Sequence, residues 1–483
     1  MRLLYIASEM APFAKTGGLG DVLGALPRQM HRMGHEVRVF IPVYSRIDQR
    51  KTELVRAPGL QDIEIRLGPH RYRVTIAAAR QPGSDLVVHF VHCPVLYARP
   101  SIYTSDPDEH LRFLVLSYAA LEACRQMRFS PDIVHCNDWQ TGLVPLALKT
   151  AYARDPLFAR TKSLLTIHNI GYQGVFPARV VADTGLSASL DRFHQDQLRD
   201  GRVNFLLHGI LYADGISTVS PTYSREIQTS EHGAGLDPFL RMRSTTVVGI
   251  LNGVDYDEWS PEHDAHIRHR YGADDLSGKE RNKEALLGEL GLAYHPGVPV
   301  FGVVSRLVGQ KGLDLLVDVA PGLLQRYGFQ LVVLGSGEPR LEELFTRLQH
   351  AFPRQVCFYQ GFSNELAHLI EAGADMFVMP SRYEPCGLNQ LYSLRYGTVP
   401  IVHKTGGLAD TVRLFSPATG QGTGFPFEHH DAAGLRWGIE AALGVYRDRA
   451  AWRRLMLNGM AQDFSWDVQA KVYELLYARQ MQA

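Results

Sequence analysis

One short stretch occurs twice in this chain and limits what it can fold into. It reads Lys15-Thr16-Gly17-Gly18-Leu19-Gly20-Asp21 near the start and Lys404-Thr405-Gly406-Gly407-Leu408-Ala409-Asp410 near the end. Each copy follows an apolar run of strand character, Leu3-Leu4-Tyr5-Ile6-Ala7 or Val399-Pro400-Ile401-Val402, and each opens into a helical pattern. A strand–glycine loop–helix unit in each half restricts the chain to two α/β halves. Glycines at the mouth of a helix let backbone N–H groups approach an anion closely. The helix start adds partial positive charge there, and the lysine adds a mobile point charge suited to phosphate. Two ordinary glycine-closed turns are the plain alternative. The repeated lysine and aspartate favour two loops facing one cleft from two domains.

The strand–helix rhythm supports the same division. Apolar runs at residues 3–8, 36–41, 72–79, 86–92, 132–136, 163–168 and 215–219 predict a buried parallel sheet in the first half. Runs at 300–304, 330–334, 356–359, 376–379 and 398–402, each followed by a helical segment, predict a doubly wound nucleotide-binding domain in the second. Residues 94–110, rich in Pro, Tyr and Asp, read as a surface excursion. Asn252-Gly253 closes a short apolar run and reads as a hinge. After Ser465, an apolar stripe of Val468, Val472, Leu475 and Leu476 predicts an amphipathic helix that docks back on the protein.

Bulk properties narrow the function. At 483 residues the chain exceeds one core, and its 50 basic residues balance 50 acidic ones, so no global field recruits nucleic acid or a membrane. Five scattered cysteines without a Cys-x-x-Cys pair point to a reducing, cytoplasmic setting and away from structural zinc. Neither a Gly-x-x-x-x-Gly-Lys-Ser/Thr loop nor a Gly-x-Ser-x-Gly elbow is present. The Asp-x-Asp triplets at Asp106 and Asp255 follow no clear strand and carry little weight as metal sites.

Ligands of open α/β sheets bind beyond the carboxyl ends of the strands, so the chemistry is sought there. In the second half those ends carry Arg306 and Lys311, which could clasp a diphosphate, and Gly335 in a small-residue loop. They also carry Glu384, suited to sugar hydroxyls or to developing positive charge. In the first half they carry Asp138 with Trp139, an acid and an aromatic suited to a sugar ring, and His168.

These residues resemble those of the bacterial glycogen synthases and plant starch synthases, over nearly the whole chain. The similarity is carried by the run from Ser8 to Val22, by Asn137-Asp138-Trp139 and by Ile250-Leu251-Asn252-Gly253-Val254-Asp255. Ser305-Arg306-Leu307, Gln310-Lys311-Gly312, Glu384-Pro385-Cys386-Gly387-Leu388 and the second glycine loop add to it. The resemblance implies a GT-B-type α/β fold, two Rossmann-like domains facing a deep inter-domain cleft. Residues 1–254 and 255–464 would form the domains, and the helix of 465–483 would pack back on the first. It implies retaining transfer of glucose from ADP-glucose to the non-reducing 4-OH of glycogen or another α-1,4-glucan, with no metal or other cofactor. Glu384, Arg306, Lys311, His168 and Asp138 would be the catalytic set. Lys15, Gly17, Gly18, Asp21, Asn252, Gly335, Cys386, Gly387, Leu388, Thr405, Gly406 and Gly407 would bind substrate. A nucleotide-sugar epimerase of the same fold and a catalytically silent glucan-binding protein are the alternatives.

Overall fold

The computed structural model describes residues 1–48 and 52–482, which form two compact units. The first comprises Met1–Val219, Ser224–Gly253 and the chain from Trp466 on; the second comprises Ser220–Tyr223 and Val254–Ser465. Ala483, the last residue of the predicted terminal helix, lies outside the described residues.

The strands of the first unit are, in chain order, β1 (Arg2–Ile6), β2 (Glu36–Pro42), β3 (Val55–Arg56), β4 (Ile63–Leu67), β5 (His70–Arg80) and β6 (Val87–His92). They continue with β7 (Ile133–Asn137), β8 (Lys162–Ile167), β9 (Val175–Pro177), β10 (Arg202–Asn204), β11 (Gly215–Thr218) and β12 (Val247–Gly249). The main sheet runs β12-β11-β8-β7-β1-β2-β6-β5-β3, with β4 beside β5, while β9 and β10 pair separately. From β12 to β6 every pairing is parallel.

The fully parallel expectation fails at β5, which runs antiparallel to β3, β4 and β6. Its connections explain this. Only the short stretches between Leu67 and His70 and between Arg80 and Val87 join it to β4 and β6. A parallel crossover needs a dozen residues or more. The strict alternation of buried and exposed residues in β4 fits an antiparallel strand with one wet face.

Residues 94–110 are partly core, not a surface excursion. Leu96, Tyr97 and Ile102 are buried, and the polar residues satisfy one another. Arg99 grips both oxygens of Asp108 at 2.8 and 2.6 Å and also bonds Asp106, so both acids of that Asp-x-Asp triplet are engaged.

The terminal helix, Trp466–Gln482, belongs to the first unit but does not dock on the predicted stripe. Val468, Val472 and Leu475 are exposed, Leu475 to 60%, whereas Trp466, Ala470, Tyr473 and Tyr477 are buried. The surface beneath offers polar atoms that an aliphatic stripe could not satisfy. The Tyr477 hydroxyl lies 2.8 Å from both the Tyr5 hydroxyl and His135 Nδ1. Tyrosine buries a ring while supplying that partner. At the rim, Gln29 donates to Asp467 at 2.6 Å and His35 meets Glu474 at 2.8 Å.

The second unit holds β13 (Val300–Val304), β14 (Gln330–Gly335), β15 (Val356–Gln360), β16 (Met376–Met379), β17 (Val399–His403) and β18 (Phe425–Phe427). They pair in parallel in the order β15-β14-β13-β16-β17-β18. Successive residues feed opposite cores. Phe301, Val303, Leu331 and Val333 pack on one side, and Val300, Val332 and Leu334 on the other. Helices cover both faces, as the continuous apolar runs require. The order reverses between β13 and β16, and a crevice forms at such a switch point.

Tyr477→Phe should lower the unfolding midpoint of the first unit, costing about 1–3 kcal/mol, because two buried polar partners lose a hydrogen bond. Denaturant unfolding followed by circular dichroism measures it.

Candidate active site

At the carboxyl ends of β13 and β16 the structure brings three of the predicted residues onto neighbouring loops. Lys311 Nζ donates to Glu384 Oε2 at 2.7 Å, and the Ser381 hydroxyl donates to the same oxygen at 2.9 Å. Glu384 is only 5% exposed, so its carboxylate is held in one orientation by these two donors. Two further bonds knit the loops together: Gln310 Nε2 to the Tyr383 carbonyl at 3.2 Å, and Asn389 Nδ2 to the Val304 carbonyl at 2.7 Å. Arg306 is exposed, and its guanidinium has no hydrogen bond or ion pair among the described residues. The loop after β13 thus presents one more cation than Glu384 neutralises, a local preference for an anion.

The second glycine loop is built for close backbone packing. Gly406 has φ +45°, and a Cβ there would lie 1.9 Å from the Glu384 carbonyl oxygen. A Cβ on Gly407 would lie 2.1 Å from the Cys386 carbonyl oxygen. Gly407 N–H donates to the Glu384 carbonyl at 3.1 Å. Glycine at both positions therefore lets this loop seat the segment that carries Glu384, Cys386, Gly387 and Leu388. Gly387 itself is left-handed, at φ +74°. Gly335 follows the same rule, since its Cβ would meet the Ser305 carbonyl at 2.1 Å. Thr405 is buried, Lys404 pairs with Glu428 at 2.6 Å, and Asp410 accepts from Thr222.

The first copy differs. Nothing lies within 4 Å of a Cβ built on Gly17 or Gly18, and both glycines face open space. Lys15 pairs with Asp21 at 2.5 Å across the start of the helix Gly18–Arg32. The Thr16 and Gly17 amides donate at 2.5 and 3.2 Å to the carboxylate of Glu9, a buried side chain that the sequence reading did not single out.

Asp138 and His168 stand at the ends of adjacent strands β7 and β8. Asp138 is a non-glycine residue at φ +54°, and its Oδ1 accepts the His168 N–H at 2.7 Å. Burial pushes its carboxyl up to about 7, although backbone donors at His168 and Asn169 oppose the shift. Burial also pushes His168 down to about 3. Its Nε2 meets Asn137 Oδ1 at 2.9 Å, while Nδ1 is buried without a hydrogen-bond partner among the described residues. An imidazole that donates from Nε2 keeps Nδ1 as an acceptor, ready for a hydroxyl.

Trp139 does not offer a free sugar platform. It is buried among Phe113, Phe176 and Phe205, and Gly174 is needed to make room for its ring. Asn252 is buried, with Oδ1 lacking a partner among the described residues. Phe362, which sequence reasoning passed over, is 82% exposed just beyond β15. Its signal was an aromatic in the strand-end pair Gly361-Phe362.

Comparisons with known proteins cover almost the whole chain. The family model for the starch synthase catalytic domain matches residues 2–242, and that for glycosyl transferases group 1 matches residues 294–454. A glycogen synthase of Myxococcus xanthus (strain DK1622) is 47% identical over 482 residues, 99% of each chain. One from Anaeromyxobacter sp. (strain Fw109-5) is 46% identical over 481 residues, again 99% of each. The catalytic domain of starch synthase IV from Arabidopsis thaliana, bound to ADP and acarbose, superposes with a TM-score of 0.91. It is 36% identical and covers 100% of this chain and 99% of that one. A sucrose-phosphate synthase from Thermosynechococcus elongatus, 18% identical with a TM-score of 0.59 over 99% and 98% of the two chains, shares the fold alone.

A doubly wound sheet in each unit, with a cationic loop and a braced glutamate at the strand ends of the second, defines a glycosyltransferase of the GT-B class. Within that class, the full-length likeness leaves one place for it. The chain belongs to the glycogen synthase and starch synthase family.

Two outcomes follow from the site. Gly407→Ala should cost about 1–3 kcal/mol by overpacking against Cys386, whereas Gly17→Ala should stay within about 0.5 kcal/mol; chemical denaturation separates them. Asp138 is raised from 3.8 to about 7 by folding, so its contribution to stability is complete below pH 4 and is lost as pH rises through 7. Asp138→Asn removes that loss. The variant should gain about 2–4 kcal/mol over the native protein at pH 8, the gap closing towards pH 4, as read by unfolding across that range.

Proposed function

We propose that the protein elongates glycogen by moving glucose from ADP-glucose to the non-reducing 4-OH of an α-1,4-glucan, with retention at the anomeric carbon. The observation that carries this reading is the Lys311–Glu384–Ser381 cluster beside Arg306. Departure of ADP builds negative charge on a phosphate oxygen. Arg306 and Lys311 supply preorganised positive charge for it, and the reading requires no metal. Glu384, oriented by Lys311 and Ser381, holds glucose hydroxyls. His168 Nδ1 accepts from a sugar hydroxyl, and Lys15, with Gly17 and Gly18, meets the donor's phosphates. The ADP in the Arabidopsis starch synthase supports an adenine nucleotide as the donor carrier.

Retaining hydrolases use a carboxylate nucleophile partnered by a second carboxyl about 5–5.5 Å away. Here Glu384 Oε2 is occupied by two donors, and Asp138 Oδ1 is bonded to backbone N–H groups. We therefore assign departure and attack to one face of the ring, without a covalent glycosyl-enzyme. A glucosyl adduct trapped on either carboxylate would defeat that assignment. No helix among the described residues is long and apolar enough to cross a membrane, and the five cysteines are free; we assign the activity to the cytoplasm.

The decisive experiment measures nucleoside diphosphate release from ADP-glucose and UDP-glucose, each with and without glycogen. Glycogen-dependent release from ADP-glucose is expected. Arg306→Ala and Lys311→Ala should each lower kcat about 10²–10³-fold. Release without glycogen would indicate an epimerase or hydrolase, and no release at all a glucan-binding protein.

A further inference from the structure

The Glu9 carboxylate is 2% exposed and has no cation beside it among the described residues. A buried carboxylate without a counter-charge is costly unless its lone pairs are filled. Here they are filled by the glycine loop itself. Oε2 accepts the Thr16 N–H at 2.5 Å and the Gly17 N–H at 3.2 Å. Oε1 accepts the Thr16 hydroxyl at 2.7 Å and the Tyr103 hydroxyl at 2.5 Å. Tyr103 lies 2.8 Å from the Ser8 hydroxyl as well, which fixes it from a second side. Backbone bonds close the rest of the segment: Met10 and Ala14 exchange N–H and carbonyl at 2.8 and 2.9 Å, and Ala11 N–H donates to the Gly20 carbonyl at 2.9 Å.

The two amides that a phosphate would be expected to use are thus already taken by an internal anion. The donors left at this loop are the Gly18 and Leu19 N–H groups, which open the helix Gly18–Arg32 and have no hydrogen-bond acceptor among the described residues, together with the N–H groups of Lys15 not given to Asp21. We infer that Glu9, braced by Tyr103, is a positioning residue that sets the Lys-Thr-Gly-Gly loop in its donor-receiving shape before the donor arrives. Rigidity present in the free protein is rigidity the donor need not impose, so it appears in donor affinity. The inference rests on the proposed use of a nucleotide-sugar donor.

The test compares Glu9→Gln and Tyr103→Phe with the native enzyme. Glutamine keeps the shape but leaves a neutral oxygen for the Thr16 and Gly17 N–H groups and turns an N–H₂ to the Thr16 and Tyr103 hydroxyls, which can no longer donate there, so the charge-assisted bonds are lost. Glu9→Gln should raise KM for ADP-glucose about tenfold while leaving KM for glycogen and kcat within about threefold. Tyr103→Phe, with three donors left to Glu9, should shift donor KM in the same direction by less. An unchanged donor KM in both variants overturns the inference, as does a uniform fall in every parameter that tracks a lowered melting temperature. Should Glu9→Gln fail to fold, Thr16→Val removes one donor to the carboxylate and is judged by the same split. A native enzyme silent on ADP-glucose and glycogen refutes the proposed function. ADP binding by calorimetry then still judges Glu9, by weaker binding to the variants or its absence.

Discussion

Parallel pairing between neighbouring strands is the interaction on which both units depend. It points the carboxyl ends of the parallel strands to the same edge of each sheet, so residues far apart in the chain meet there without long loops. Arg306 and Lys311 follow β13, Glu384 follows β16, and the Gly406-Gly407 turn follows β17. The contacts among them are then set by how closely the loops approach. Glycine at 335, 406 and 407 allows carbonyls of adjacent loops to come within distances that any Cβ would forbid. The orientation of Glu384 therefore depends on backbone packing as much as on its two side-chain donors.

Both units bury ion pairs, Arg112–Glu109 in the first among them, but the carboxylates at the candidate sites are held in different ways. In the second, Glu384 sits with Lys311, and Asp375 with Lys283 at 2.8 Å. In the first, Glu9 and Asp138 have backbone and hydroxyl donors in place of cations. Without a counter-charge Asp138 titrates near neutrality, and His168 and His135 are driven to about 3 by burial. At the first unit's strand ends His168 and Asp138 are groups able to bond hydroxyls, whereas His135 is spent inside the fold on Tyr477 and Thr166, and the second unit's cations suit phosphate.

Much of this was legible before any coordinates. Long apolar runs with β-branched residues located the central strands, and strand-end loops located Arg306, Lys311, Glu384, Asp138 and His168. Three features escaped for separate physical reasons. β5 was placed in the parallel array because periodicity does not report direction; the short turns that flank it do. The docking face of the terminal helix was hidden because its Tyr473 and Tyr477 count as polar in a stripe search, while Val468, Val472 and Leu475 form an aliphatic stripe at the same spacing. The two glycine loops read alike, yet Gly17 meets no neighbour and Gly407 meets Cys386, a difference that lies wholly in tertiary contact.

The terminal helix also shapes the order of assembly. The second unit, from Val254 to Ser465, interrupts the first, whose last piece is Trp466–Gln482. On the ribosome, everything the second unit needs except Ser220–Tyr223 emerges as one stretch, already preceded by those four residues. The first unit waits until the second has been made for the tyrosines that cover Tyr5 and His135. Strand β1 therefore keeps the Tyr5 hydroxyl without its terminal-helix partner while the whole second unit is made.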